Sequence, residues 1–444
     1  MSVTTDLVER IWARDPTVWT GTDEAQWLGW LDEPQRMQEQ LDDVLAFAND
    51  VVSAGAIDDI VVLGMGGSSL APEVMRLMFG ADHFHVLDST HPKAVRALES
   101  KIDSERTLFL SASKSGTTLE TRSHTAYFVE RGGQFAAITD PGSDLERFAH
   151  EKGFLRVFHG EPTIGGRYSA LSPFGIVPAV LMGVDATRLL ERAVEMQEAC
   201  RYAEGNPGLE LGLRLGSTTS VGLTSHTDSF GLWMEQLVAE STGKQGKGIV
   251  PAPDDPHAEL HEDVALPSPY ELGQEFFRWE FAVAVAGALL GINPFEQPDV
   301  QAAKDKTNAV LATGQDPSLD VEGSIDGLLE QARDGDYVCV QAFVDPSEAT
   351  QQRIAELVRR LRLRTSLPVT HGLGPRYLHS TGQLHKGGPN TGLFLQVVDD
   401  QGDELPIPGQ KFGFARLIRA QAYGDYESLK ERGRRVARIR LEDV

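Results

Sequence analysis

The sequence predicts an α/β protein built from two doubly wound parallel-sheet domains, each a three-layer αβα arrangement. Three observations carry that prediction. From residue 58 onward short apolar runs alternate with amphipathic stretches of helical period, the pattern of parallel strands covered on both faces. A second, less regular set of such runs begins near residue 208. The 444 residues are too many for one ordinary core, at about 150 residues per domain.

Residues 1–48 read as a helical segment in which Trp12, Trp19, Trp27 and Trp30 are packing anchors. The first α/β domain is expected over 49–190. Its strands are "DIVVLGMGG", "HFHVLD", "TLFLSAS", "QFAAITD" and "LRVFHG", separated by the helices "SSLAPEVMRLMF", "HPKAVRALESKI", "TLETRSHTAYFVERG" and "DLERFAHEKG", and it closes with "PFGIVPAVLMGV". A connecting helix should run to 207, ending at Gly205 and Pro207. The second domain, 208–420, takes the strands "TSVGLTS", "DYVCVQAFV" and "TGLFLQVV", with helices at "FGLWMEQLVAES", "QEFFRWEFAVAVAGALLG" and "SEATQQRIAELVRRLR". Residues 421–444 read as a basic tail lying on an acidic body.

Bulk composition excludes several classes. A net charge of −24 opposes general nucleic-acid binding, because phosphates are repelled, so an anionic ligand needs a few local cations. Two cysteines, Cys200 and Cys339, make neither a disulfide framework nor a zinc signature. The N-terminus lacks a basic region followed by an apolar run, and no apolar stretch reaches membrane-spanning length, so the cytoplasm is the expected location.

Two strand-to-helix turns carry the chemistry. "GMGGSS", Gly64 to Ser69, lets backbone pass close to a ligand at a helix start. It departs from the dinucleotide pattern GxGxxG by Ser69, although Asp88 lies where a ribose-binding acid would, and GK[ST] is absent. "SASKSGTT" crowds Ser113, Ser115, Thr117 and Thr118 around Lys114 at the start of the next helix. Capping needs one hydroxyl. Several hydroxyls, a glycine and a lysine suit the oxygens of a terminal phosphate.

These turns resemble the sugar isomerase (SIS) fold. Together with "GGRYSALSPFG", "MEQLVAESTGK", "NPFEQPDVQAAK" and "LHSTGQ" they resemble the phosphoglucose isomerase family, in particular the isomerase portion of bacterial transaldolase–phosphoglucose isomerase fusions. The resemblance implies two SIS-type domains. It also implies interconversion of glucose 6-phosphate and fructose 6-phosphate without metal or other cofactor. By motif, Gly67, Ser68, Ser113, Lys114, Ser115 and Thr118 would surround the phosphate, and Glu240 would be the proton-transfer base with Gln236 beside it. Arg167 would stabilise the intermediate, Gln297 would contact ligand, and Lys304 and His379 would open the ring. The histidine segment here follows the "NPFEQP" segment, the reverse of the family order. Either the second half is rearranged or His379 matches by coincidence, and His385 and Lys386 are then the alternatives. In the family this histidine comes from a neighbouring subunit, which implies a homodimer, and a separate transaldolase is a possible partner.

The chemistry stands apart from the name. Moving a proton between adjacent sugar carbons needs one carboxylate, a fixed cation for the enediolate, and proton carriers for ring opening. A non-catalytic sugar-phosphate sensor would need neither Glu240 nor Arg167, and mannose 6-phosphate or a 6-sulfo sugar could occupy the same anion turn. "HAELHED" offers His257, Glu259, His261 and Glu262 to a metal, but the prolines before it indicate a loop.

Overall fold

The computed structural model describes residues 3–53, 55–224 and 228–444. Met1 and Ser2 of the N-terminal segment, Ala54 in the first α/β region, and Ser225 at the end of the strand expected over 219–225 lie outside the described residues.

Five strands form the first sheet: β1 (Asp59–Gly64), β2 (Phe84–Leu87), β3 (Thr107–Ala112), β4 (Gln134–Thr139) and β5 (Arg156–His159). Their order is β2-β1-β3-β4-β5, and every pairing is parallel. All six residues of β3 are buried, as expected of a strand covered on both faces. After β1 the chain steps outward to β2 and then returns to β3 on the opposite side. The crevice at such a reversal lies outside the carboxyl ends of β1 and β3, where both unusual turns emerge.

The second half contains two sheets. Strands β6 (Ser220–Leu223), β7 (Val250–Pro251) and β8 (Leu260–Glu262) form a small sheet in the order β7-β6-β8. Strands β9 (Tyr337–Phe343), β10 (Val369–Leu373), β11 (Gly392–Val398) and β12 (Arg435–Arg440) form a parallel sheet in the order β10-β9-β11-β12.

The expected basic tail is a correction. Residues 421–431 continue the helix Phe414–Glu431, and β12 is the edge strand beside β11. Its charges read as lying on an acidic surface, yet Arg438 is buried within the sheet edge. The Arg438 Nε donates to Gln396 Oε1 at 2.7 Å, and the guanidinium lies 4.0 Å from the Tyr426 ring centroid. Pairing and ring contact offset the desolvation that its sequence position did not announce.

The N-terminal tryptophans pack mainly against the second half. Trp12 stacks on Phe277 and Phe281 of the helix Leu272–Leu290, which is core along most of its length. Trp30 stacks on Tyr168 at 5.3 Å, and Trp19 meets the edge of Phe295 at 5.1 Å. One apolar cluster therefore joins the N-terminal helices, one face of the first sheet and the helix 272–290. It fixes the two loops, 165–169 and 293–297, that flank the site described next.

Candidate active site

The first glycine turn is shaped by close approach. Gly66 has φ of +54°, and a Cβ there would lie 2.6 Å from the His379 carbonyl oxygen. At Gly67 a Cβ would lie 2.0 Å from the Gly166 carbonyl oxygen. The backbone of β1's turn is thus clamped between the loop carrying Arg167 and the loop carrying His379, which only glycine allows. Ser68 is buried in the same turn.

The second turn supplies hydroxyls that are not spent on capping. Thr118 is the N-cap of the helix Leu119–Val129 but makes no side-chain cap bond. Its Oγ1 accepts from Ser113 Oγ at 3.1 Å, and Ser115 Oγ lies 2.8 Å from Thr117 Oγ1. Lys114 departs from the phosphate-facing position expected of it. Its Nζ lies 2.7 Å from Asp140 Oδ2 and donates to the Glu161 carbonyl at 3.1 Å, because β4 ends beside it with a carboxylate.

A cleft of about 290 Å³ opens beside this turn. Ser115, Thr117, Thr118 and Glu120 line one side, Gln301 and Lys304 of the helix Gln301–Thr313 another, and His379 and Lys386 a third. His379 reaches the cleft from its own chain. His379 and Lys304 line one cleft although their segments are exchanged in sequence relative to the family order.

His379 Nε2 lies 2.9 Å from Glu120 Oε1, and Gln421 Nε2 donates to the same oxygen at 2.6 Å. The Gln421 Oε1 accepts in turn from Thr90 Oγ1 at 2.7 Å, which fixes the amide's orientation. Burial opposes ionisation of Glu120, but His379, together with Lys304, outweighs it and holds the carboxyl down at about 2. A carboxylate thus orients the imidazole.

Behind the cleft lies a second group. Gln236 and Glu240 stand one turn apart on the helix Asp228–Thr242. Gln236 Nε2 donates to Glu240 Oε2 at 3.1 Å and to the His379 carbonyl at 2.9 Å. Arg167 Nη1 lies 3.5 Å from Glu240 Oε2 and donates to Gln297 Oε1 at 3.3 Å, while its Nη2 donates to the carbonyls of Pro294 and Glu296. Arg167 and Glu240 are both buried, and Arg167 Nε and Gln236 Oε1 have no hydrogen-bond partner among the described residues.

The remaining sequence candidates are accounted for elsewhere. His385, the alternative ring-opening histidine, is sealed against the second sheet with Nδ1 3.2 Å from Gln341 Nε2. Burial, with help from Lys386 and Arg434, pushes its pKa well down. Lys386 lines the cleft but is ion-paired to Asp425 at 2.5 Å. Asp88 is held by a bidentate contact from Arg376 at 2.6 and 2.9 Å. In "HAELHED", Glu262 is taken by Arg214 and Arg278, and Glu259 accepts from Thr218 and Thr219. Among the described residues no group of three or more His, Cys, Asp or Glu is arranged to hold a metal. Among them also no helix is long and apolar enough to cross a membrane.

Sequence reasoning missed Glu120, Gln421 and Lys244. Glu120 reads as an ordinary acidic residue in a first helical turn, and Gln421 lies in the segment taken for a tail. Lys244 stands within "MEQLVAESTGK", where the spacing from Glu240 was a usable signal.

The first parallel sheet thus carries hydroxyl and glycine turns at its switch point, and a carboxylate–arginine pair is buried nearby. Residues 30–213 match the family model for phosphoglucose isomerase. A glucose-6-phosphate isomerase from Nostoc sp. is 34% identical over 245 residues, which is 48% of this chain and 46% of that protein. One from Thermus thermophilus is 32% identical over 264 residues, 52% of this chain and 62% of that protein. A third, from Rubrobacter xylanophilus, is 26% identical over 378 residues, covering 62% of this chain and 87% of that protein. The chain spans about half the length of the first of these curated relatives.

Proposed function

We propose that the chain is an aldose–ketose isomerase that interconverts glucose 6-phosphate and fructose 6-phosphate. The observation that carries this reading is the Arg167–Glu240 pair, buried, 3.5 Å apart and tied through Gln236 to the His379 loop. A binding protein needs no such pair.

In this reading the phosphate lies against Ser115 and Thr118, with Ser113 holding the Thr118 hydroxyl in place and the Gly67–Ser68 backbone nearby. Lys114, engaged by Asp140, positions the turn and contributes charge only at a distance. The sugar then extends toward the inner pair. His379, oriented by the Glu120 carboxylate, gives a proton to the ring oxygen, and Lys304 on the facing wall takes part in the anomeric proton transfer. Glu240 removes the proton from one of the two adjacent carbons and returns it to the other. Arg167, with Gln297 beside it, stabilises the charge that develops on the enediolate oxygens. Removing a preorganised donor of this kind typically costs about 10²–10³ in rate.

The reading is tested by a coupled assay with glucose 6-phosphate, mannose 6-phosphate and a sulfonated hexose, with chelator present. Turnover of glucose 6-phosphate supports it. Turnover confined to another hexose moves the assignment to that substrate, and tight binding of all three without turnover replaces it with a sensor.

A further inference from the structure

Lys244 stands two residues beyond the end of the helix that carries Glu240, and its side chain is wholly buried. Its backbone N–H donates to the Lys247 carbonyl at 3.1 Å in a tight turn, which aims the side chain inward. The Nζ donates to the Glu296 carbonyl oxygen. That same oxygen accepts from Arg167 Nη2 at 2.9 Å. Two basic side chains from distant segments thus converge on one carbonyl of the loop 293–297, while Arg167 Nη1 reaches Gln297 and Glu240.

Two full cations on one buried carbonyl would repel each other, and desolvation would add to the cost. Burial first, and then the neighbouring Arg167, hold Lys244 well below its ordinary pKa, against the opposing pull of Glu296, Glu240 and Asp299. In either protonation state the amine keeps N–H donors for the Glu296 carbonyl.

We infer that Lys244 is a positioning residue: its amine pins the Glu296 carbonyl so that the loop 293–297 holds the Arg167 guanidinium toward Glu240, where charge develops in the reaction. This rests on the isomerase reading of the site. It adds to it a group that touches neither the substrate nor the transferred proton.

The test compares two phosphosugar ligands on the full chain. One is an aldonic acid phosphate, whose carboxylate resembles the enediolate; the other is a neutral hexitol phosphate, which lacks that charge. Lys244→Met is expected to weaken the acid phosphate about tenfold or more and the hexitol phosphate by no more than about threefold, one step removed from losing the donor itself. Lys244→Gln, which keeps an uncharged N–H donor on a shorter stem, should retain more of the acid-phosphate affinity than the Met variant. Equal weakening of both ligands, or no weakening of either, overturns the inference. If Lys244→Met fails to fold, the same ratio measured on Lys244→Gln decides. Turnover by the unmodified chain separately decides the isomerase reading, so the two failures are distinguishable.

Discussion

Glu120 Oε1 and His379 Nε2 lie 2.9 Å apart although 259 residues of chain separate them. The contact joins the helix that follows the hydroxyl turn of the first sheet to a loop beside the second. It makes one cleft of groups that would otherwise belong to two halves. Its consequences are measurable.

Glu120→Gln should lower turnover about tenfold to hundredfold, because the amide no longer selects the imidazole's orientation and tautomer as the carboxylate does. The drop should be larger with the cyclic hexose phosphate than with an acyclic substrate that needs no ring opening. Equal losses with both would show that the dyad does not serve ring opening.

The same carboxyl predicts an acid limb of stability. Glu120 is held down at about 2, against 4.5 ordinarily, chiefly by His379 acting against burial. Its contribution is therefore fully present above pH 4.5 and is lost as pH falls from there through about 2. The span corresponds to about 3 kcal/mol. Glu120→Gln should flatten this part of the stability curve in denaturant titrations run across that range.

Glu240→Gln should abolish isomerisation while fructose 6-phosphate still binds within about threefold of its original affinity, since the base acts on the transition state more than on the ground state. Residual turnover within tenfold would reject Glu240 as the base.

Within the anion turn the hydroxyls should outrank the lysine. Thr118→Ala is expected to raise KM for hexose phosphate about threefold to tenfold, in keeping with loss of one hydrogen bond to a charged group. Ser113→Ala acts only through Thr118 and should do less. Lys114→Ala should change KM less than Thr118→Ala does, because its ammonium is already paired with Asp140. A dominant effect of Lys114 would mean that the amine leaves Asp140 for the ligand.

Glu280 is buried, one of its oxygens lacks a partner among the described residues, and burial, with Glu33 nearby, raises its pKa well above 4.5. A carboxyl raised on folding stays neutral in the folded chain while the unfolded chain ionises. Stability is then lost as pH rises above the ordinary carboxylate range. Glu280→Gln should stabilise the protein by about 1–3 kcal/mol at pH 8 and by less at pH 5, read from melting curves.

The amino-acid sequence by itself determined the alternation of strands and helices around the first sheet, because strands covered on both faces must be apolar throughout and their helices keep a 3.6-residue period. It also determined the two turns at the switch point, since glycine at a close approach and hydroxyls at a helix start are local requirements. Arg167, Glu240 and Lys304 carried roles only through the family resemblance, since each by itself reads as a surface charge. What only the tertiary structure decided is which distant side chains share a cleft or a carbonyl oxygen. Glu120 looked like a helix-start acid until His379 arrived beside it, Lys114 read as facing a phosphate whereas it pairs with Asp140, and the segment around Arg438 read as a tail on an acidic body whereas it is the edge strand beside β11. Local patterns encode the backbone's own hydrogen bonds and the apolar face of each element. The partner of a buried charge is set by how separate elements pack, and no spacing along the chain records that.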